Sequence, residues 1–317
     1  MDLNLNQLIL TSDDFVFSSL HRPNDAIVIF HPLEAVGDHP VYFRCTKSLE
    51  EQLAYINERQ IRRAIVIAEN VEFLHRCPSI EELWIMPAHT AEQFDYAPLY
   101  DMPRLRYLRC QTVYGKKKQV APIDYSKLPQ LKYVYIEGKK GHLHYEMLPQ
   151  LEILVLDSVQ TKDKTLKACF VSEKLKELYI LQSDIRSLDG IERAAGLRKL
   201  GLYYMRNLND ISSLVHLGDS LRHLTVEACG KIGDFSVLNA LHGLRGLRLH
   251  GSNVLPSLGF LREMPDLREL IFYMKSTDGD LSECDRIPFV NIQNRKHYNR
   301  KNEDLKKEKV KALGGTL

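Results

Sequence analysis

No run of about 18 apolar residues occurs anywhere in the sequence, so nothing in it reads as a helix able to span a bilayer. The opening stretch MDLNLNQLILTSDDF lacks a basic segment ahead of a hydrophobic one and does not read as a secretory signal. The six cysteines (Cys45, Cys77, Cys110, Cys169, Cys229 and Cys284) stand singly, without CxxC spacing. In a chain this long they read as reduced, mostly buried thiols, and a cytoplasmic location is expected. Glycine-rich phosphate loops are absent. So is any charge imbalance: 43 basic against 41 acidic residues gives no global pull toward nucleic acid or anionic membrane. What is present is ordinary for a soluble globular protein. The 317 residues are 44% hydrophobic and 26% charged, enough to bury a large core.

The organisation emerges from a repeated phrase. LPQLKYVYIEG at 128–138 and LPQLEILVLDS at 148–158 share the template L-x-x-L-x-L, as Leu131-Val134-Ile136 and Leu151-Leu154-Leu156. Upstream the template recurs as Ile80-Leu83-Ile85 and Leu105-Leu108-Cys110. Downstream it recurs at Leu175-Leu178-Ile180, Leu197-Leu200-Leu202, Leu221-Leu224-Val226, Leu244-Leu247-Leu249 and Leu267-Leu270-Phe272. These nine registers start 20 to 26 residues apart, and a degraded tenth is expected in RRAIVIAE around Ile65 and Ile67.

The second and third template residues are two apart, so in a strand they share one face. Between strands the apolar residues fall three or four apart, as in Ile185, Leu188, Ile191 and in Ile211, Leu214, Leu217. That spacing predicts helical or 3-10 return segments with one face inward. Pro78, Pro103, Pro129, Pro149 and Pro265 each stand two residues before a first template residue, where proline stops the return and favours extension.

These residues resemble the leucine-rich repeat family, and the last five units look closest to its 22-residue class, as in phosphatase regulators and internalins. The resemblance covers roughly residues 60–290. It implies an α/β leucine-rich repeat solenoid, with a curved parallel sheet on the concave side and short helices or 3-10 turns on the convex side. The family places Asn or Cys three residues after the last template leucine, as a buried ladder. Here only Ser183, Cys229 and Ser252 fit that part, and irregular turns are expected in the first half.

A solenoid needs covered ends. Residues 1–60 are read as an N-terminal α/β cap with strands in DAIVIFHP and PVYFRCT and a helix starting at Ser48, residues 61–290 as the solenoid, and 291–317 as a C-terminal cap and charged tail. RIPFVNIQ is expected to add a last strand, and the tail after it to be a solvated or frayed helix whose deletion from residue 300 scarcely alters the melt.

The residues between template leucines line the concave face. Among them are Trp84 (the only tryptophan), Tyr107, Arg109, Tyr133, Tyr135, Tyr179, Tyr203, His223, Arg248 and Tyr273. Tyr, Trp and Arg dominate binding hot spots, whereas the competing explanation is that aromatics simply pack well in strands. An exposed apolar strip from Trp84 to Leu181 favours binding. The expected function is a non-enzymatic scaffold that holds a protein partner there, in a regulatory or neutralising role, without a cofactor.

Two rivals are weaker. Lys116–Lys118, Lys139, Lys140 and tail lysines 306, 307, 309 and 311 offer phosphate contacts to nucleic acid but no docking motif. An enzyme would need chemistry near His21, His31 or His39. GDSL at 218–221 matches a hydrolase nucleophile motif around Ser220, but no D-x-x-H follows it and Leu221 is a template residue. His142, His144 and Glu146 alternate in HLHYE, yet a metal site needs a further convergent ligand.

Overall fold

The computed structural model describes residues 26–31, 48–88, 91, 93–110, 119–138 and 141–305, with backbone alone for 26–31 and 119–120. It divides into two compact units, residues 1–151 and 152–317.

In the first unit five parallel strands pair in chain order: β1 (Ala26–His31), β2 (Arg63–Ala68), β3 (Glu82–Pro87), β4 (Tyr107–Cys110) and β5 (Tyr133–Glu137). The strand expected in DAIVIFHP is β1; PVYFRCT lies outside the described residues. Between β1 and β2 runs α1 (Leu49–Arg59), capped as its sequence SLEE dictates. Glu51 N–H donates to Ser48 Oγ while Ser48 N–H donates to Glu51 Oε2, a reciprocal capping box. Leu53 and Ile56 form its buried stripe.

The template residues are the core. Leu83 aligns with Leu108 and then Val134, and Ile85 with Cys110, all buried. The degraded tenth register is corrected by one residue. Ala64 and Val66, not Ile65 and Ile67, align with Leu83 and Ile85. Within AIVIA (64–68) both alternations are apolar, so pairing with β3 decides which one turns inward.

The second unit repeats the plan with seven parallel strands: β6 (Ile153–Asp157), β7 (Glu177–Leu181), β8 (Lys199–Tyr203), β9 (His223–Glu227), β10 (Gly246–Leu255), β11 (Glu269–Ser276) and β12 (Phe289–Ile292). Leu154, Leu178, Leu200, Leu224, Leu247, Leu270 and Val290 form one continuous buried row. Each unit thus shows leucine-rich repeat architecture, with short 3-10 helices such as Ser212–Leu217, Ser236–Ala240 and Gly259–Glu263 as returns.

The corner in LPQL is a four-residue turn with proline second: Leu131 N–H donates to Leu128 O at 3.0 Å. The same closure joins Ile80 to Cys77 and Leu105 to Met102. At the other end of the return, Asp124, Asp163, Asp210, Asp234 and Asp280 each accept from the backbone N–H two residues on.

Two of the three expected ladder residues take their places. Ser183 Oγ accepts from Val159 N–H at 3.0 Å and lies 2.9 Å from Leu181 O, and Cys229 Sγ donates to carbonyls of Leu202 and Glu227. Ser252 does not; it is exposed, and Asn253 donates instead to Cys229 O and Ile232 O. The register shift between His250 and Val254 moves the inward position by one.

RIPFVNIQ forms β12 as expected. The segment after it turns helical only at 302–305, and before that it is packed rather than solvated. Tyr298 and Leu305 are buried, Ser276 N–H donates to Tyr298 Oη, and Ile292 N–H donates to Asn302 Oδ1. These bonds cover polar groups at the end of the unit, so a deletion from residue 300 removes packed structure. Residues 306–317 lie outside the described part.

Candidate functional site

Opposite the template leucines, each strand turns its intervening residues outward, and parallel pairing stacks them into columns. In the first unit the middle column runs Ile65, Trp84, Arg109, Tyr135. The Arg109 guanidinium carbon lies 4.3 Å from the Trp84 ring centre and 4.1 Å from that of Tyr135. Strands about 4.8 Å apart bring register partners to this distance, and the cation takes one ring on either side. Tyr107 and Tyr133 pair in the next column with centroids 6.1 Å apart, and burial pushes the Tyr133 hydroxyl up to about 12. Arg63 and Glu82 form an ion pair at 3.0 Å.

Tyr135 is only 2% exposed, so its ring supports Arg109 and presents almost no surface of its own. The expected exposed apolar strip is likewise mostly covered. Ile153, Val155 and Leu181 are 7%, 1% and 7% exposed. Val155 pairs with Tyr179 and Ile153 with Glu177, longer side chains that shade a shorter neighbour on the same face.

The second unit has a different face. Glu177 holds Lys199 at 2.8 Å and accepts from Tyr179 Oη at 2.7 Å. Arg248 pairs with Glu269 at 2.6 Å, and His250 lies 3.9 Å from Glu227 and meets the Tyr273 ring edge-on at 5.5 Å. His223 and Arg248 are exposed, whereas Tyr179, Tyr203 and Tyr273 are half-buried. Burial raises the Tyr203 hydroxyl, and burial followed by the nearby Lys199 lowers His223.

Two glycines between template leucines shape this face. A Cβ on Gly201 meets the rings of Tyr203 and Tyr179 at 2.5 and 2.8 Å, and one on Gly246 meets the His223 ring at 2.6 Å. Glycine between template leucines marks a neighbour's ring lying across the backbone, a readable signal once the columns are aligned.

The other candidates do not converge. Ser220 Oγ donates to Leu217 O and Leu221 is buried as a template residue. His142 takes Tyr125 Oη and Glu137 O at 3.0 Å each, while His144 turns to Asp124 at 2.9 Å. Among the described residues no group of three His, Cys, Asp or Glu side chains is placed to hold a metal ion. His21, His39, the His31 side chain, Lys116–Lys118, Lys139, Lys140 and tail lysines 306, 307, 309 and 311 lie outside the described residues.

No protein-family model matches the sequence, and neither does any curated protein. Among solved structures the chain is similar to the internalin InlF of Listeria monocytogenes, with 12% identity and a TM-score of 0.48 over 93% of this chain and 99% of that one. A leucine-rich repeat protein of Leptospira interrogans matches with 13% identity and a TM-score of 0.44, over 82% of this chain and 60% of that one. Internalin C2 of Listeria monocytogenes matches with 15% identity and a TM-score of 0.40, over 68% and 81%. At these identities and scores, the matches assign no residue role in this chain.

Proposed function

We propose that the protein is a non-enzymatic scaffold that binds another protein on the open face of its strands, in a regulatory or neutralising role. What carries the reading is the row of outward side chains that the fold keeps in register but leaves partly accessible. Tyr107, Arg109 and Tyr133 in the first unit, and Tyr179, Tyr203, His223, Arg248 and Tyr273 in the second, all retain solvent contact. They are flanked by paired charges and of the types that dominate binding hot spots. Trp84 belongs with them, half-buried against Arg109. Cytoplasmic residence is part of the same proposal, supported by Cys77, Cys110, Cys169, Cys229 and Cys284 as buried free thiols.

Photo-crosslinking amino acids placed at Tyr107, Thr225 and Arg248, and separately at the exposed back positions Val171 and Val215, test the face directly in cell extract. Discrete protein adducts from the first set and none from the second are expected. Adducts only from the back positions sink the reading. Adducts that vanish steeply with salt and digest with nuclease point to nucleic acid instead.

A further inference from the structure

We propose that Arg109 is the receptor for a carboxylate on the protein partner, the side chain of an exposed aspartate or glutamate. The inference rests on the proposed role of the open face and supplies the chemistry of one contact on it.

Other arginines of this face are already satisfied: Arg63 by Glu82 at 3.0 Å and Arg248 by Glu269 at 2.6 Å. Arg109 is different. Its Nε is buried with no hydrogen-bond acceptor, and among the described residues its guanidinium forms no ion pair. Its contacts are the two rings, Trp84 at 4.3 Å and Tyr135 at 4.1 Å.

A guanidinium carries five N–H donors, all in its own plane. With a ring against each face, a ligand approaches only along the edge, where a planar carboxylate matches two parallel N–H groups. The rings also keep water from both faces of the cation, which strengthens its pull on an incoming anion. Stacking fixes the plane in advance, so little side-chain freedom is lost on binding. Glu82 on β3 and Glu137 on β5, the strands flanking β4, stand on the same face and repel a doubly charged phosphate more than a singly charged carboxylate.

Trp84 is the only tryptophan, so its emission reports this site alone. The probe is N-acetylglutamate α-amide, titrated at constant ionic strength and neutral pH, with N-acetylglutamine α-amide as the neutral control and inorganic phosphate as a competitor. The expected result is a saturable emission change with a Kd on the order of millimolar. It should be roughly tenfold weaker in Arg109→Lys, which keeps the charge and loses the fork. Arg109→Met, whose side chain fits between the rings, and the neutral probe should give none. A flat response in the unaltered protein overturns the proposal whatever the variants do. So does an equal response in Arg109→Met with an unchanged urea midpoint, or tighter binding of phosphate than of the carboxylate. Open-face crosslinks that persist beside a flat probe response leave the scaffold reading standing and remove this contact alone.

Discussion

In residues 80–131 successive templates start 25 and 26 residues apart, whereas from Leu175 to Leu267 the spacing stays between 22 and 24. The returns of the first unit hold two-residue strand pairs, where those of the second hold a single bridge, Ser187 with Asp210, and the extension of β10 along β11 at Val254 and Leu255. Gln93–Phe94 pairs with Gln119–Val120, and Ile123–Asp124 with His142–Leu143. The second unit instead uses Ser183, Cys229 and Asn253 to satisfy carbonyls inside the turn. Every buried backbone group needs a partner, and the two units meet that demand differently. A single polar side chain in the ladder meets the demand from inside the turn, without a second strand pair. The outward faces also differ: the first unit sets a guanidinium between two rings beside the Arg63–Glu82 pair, and the second carries a series of paired charges.

The sharpest way to break this comparison is to ask whether both units rest on the same core. Leu108 and Leu200 occupy equivalent second template positions, 0% and 2% exposed. Truncating either to alanine should cost about 2–5 kcal/mol in urea unfolding, with similar losses in the two units. A midpoint that barely moves for Leu108→Ala alone means that the first unit is held by its extra strand pairs and not by its leucines.

Acid separates the units next. His142 sits between Tyr125 Oη and Glu137 O, and burial lowers it to about 4. Its folded value lies below the ordinary 6.5, so the unfolded chain binds the proton first and stability falls as pH drops from about 6.5 toward 4. At about 1.4 kcal/mol per pH unit the loss reaches about 3 kcal/mol. His144, raised by its exposed bond to Asp124, acts with the opposite sign but is screened by solvent. Asp124 and Asp280, held down to about 2 mainly by hydroxyls of Ser126 and Ser282, lose their contribution only as pH falls below the ordinary 3.8. Unfolding midpoints at pH 7 and pH 4.5 therefore isolate the histidines. His142→Gln should flatten the slope of the first unit; an unchanged slope assigns the acid sensitivity elsewhere.

The leucine template was legible because burial in a strand leaves a period that no other structure imitates. Where both alternations are apolar, as in AIVIA at 64–68, the period cannot choose, and the inward pair fell on Ala64 and Val66. Asn253 hid behind an irregularity in β10 that no pattern announces. A cap was expected over 291–317, but the packing of 294–305 was not legible, because it is built from polar bonds and two isolated apolar residues, Tyr298 and Leu305, with no periodicity. On the open face the columns were readable, but not which rings would cover which. Tyr135 lists as an anchor in sequence and proves to be a wall. Asp124, Asp210, Asp234 and Asp280 each open a D-x-S motif, a turn signal missed in sequence, at the start of a 3-10 helix in their return.

The smallest expected effect makes the finest comparison. Several strand exits turn left-handed: Gly138 after β5 has φ 86°, and Ala228 after β9 has φ 54°. In the second unit Ser158, Gln182 and Tyr204 do the same, with φ between 48° and 56°. The turn is imposed by the next strand, since Ala228 N–H donates to His250 O at 2.8 Å and Tyr204 N–H to Glu227 O at 2.8 Å. A side chain in that conformation costs roughly 1–2 kcal/mol, partly offset by the greater freedom glycine has when unfolded. Ala228→Gly should therefore stabilise the second unit by up to about 1 kcal/mol. Gly138→Ala should cost the first unit about 1–2 kcal/mol. Opposite signs in urea unfolding locate the same strained corner in both units. Losses at both positions would mean that Ala228 gains more from its methyl contacts than it loses to backbone strain, and the corners would then differ as the returns do.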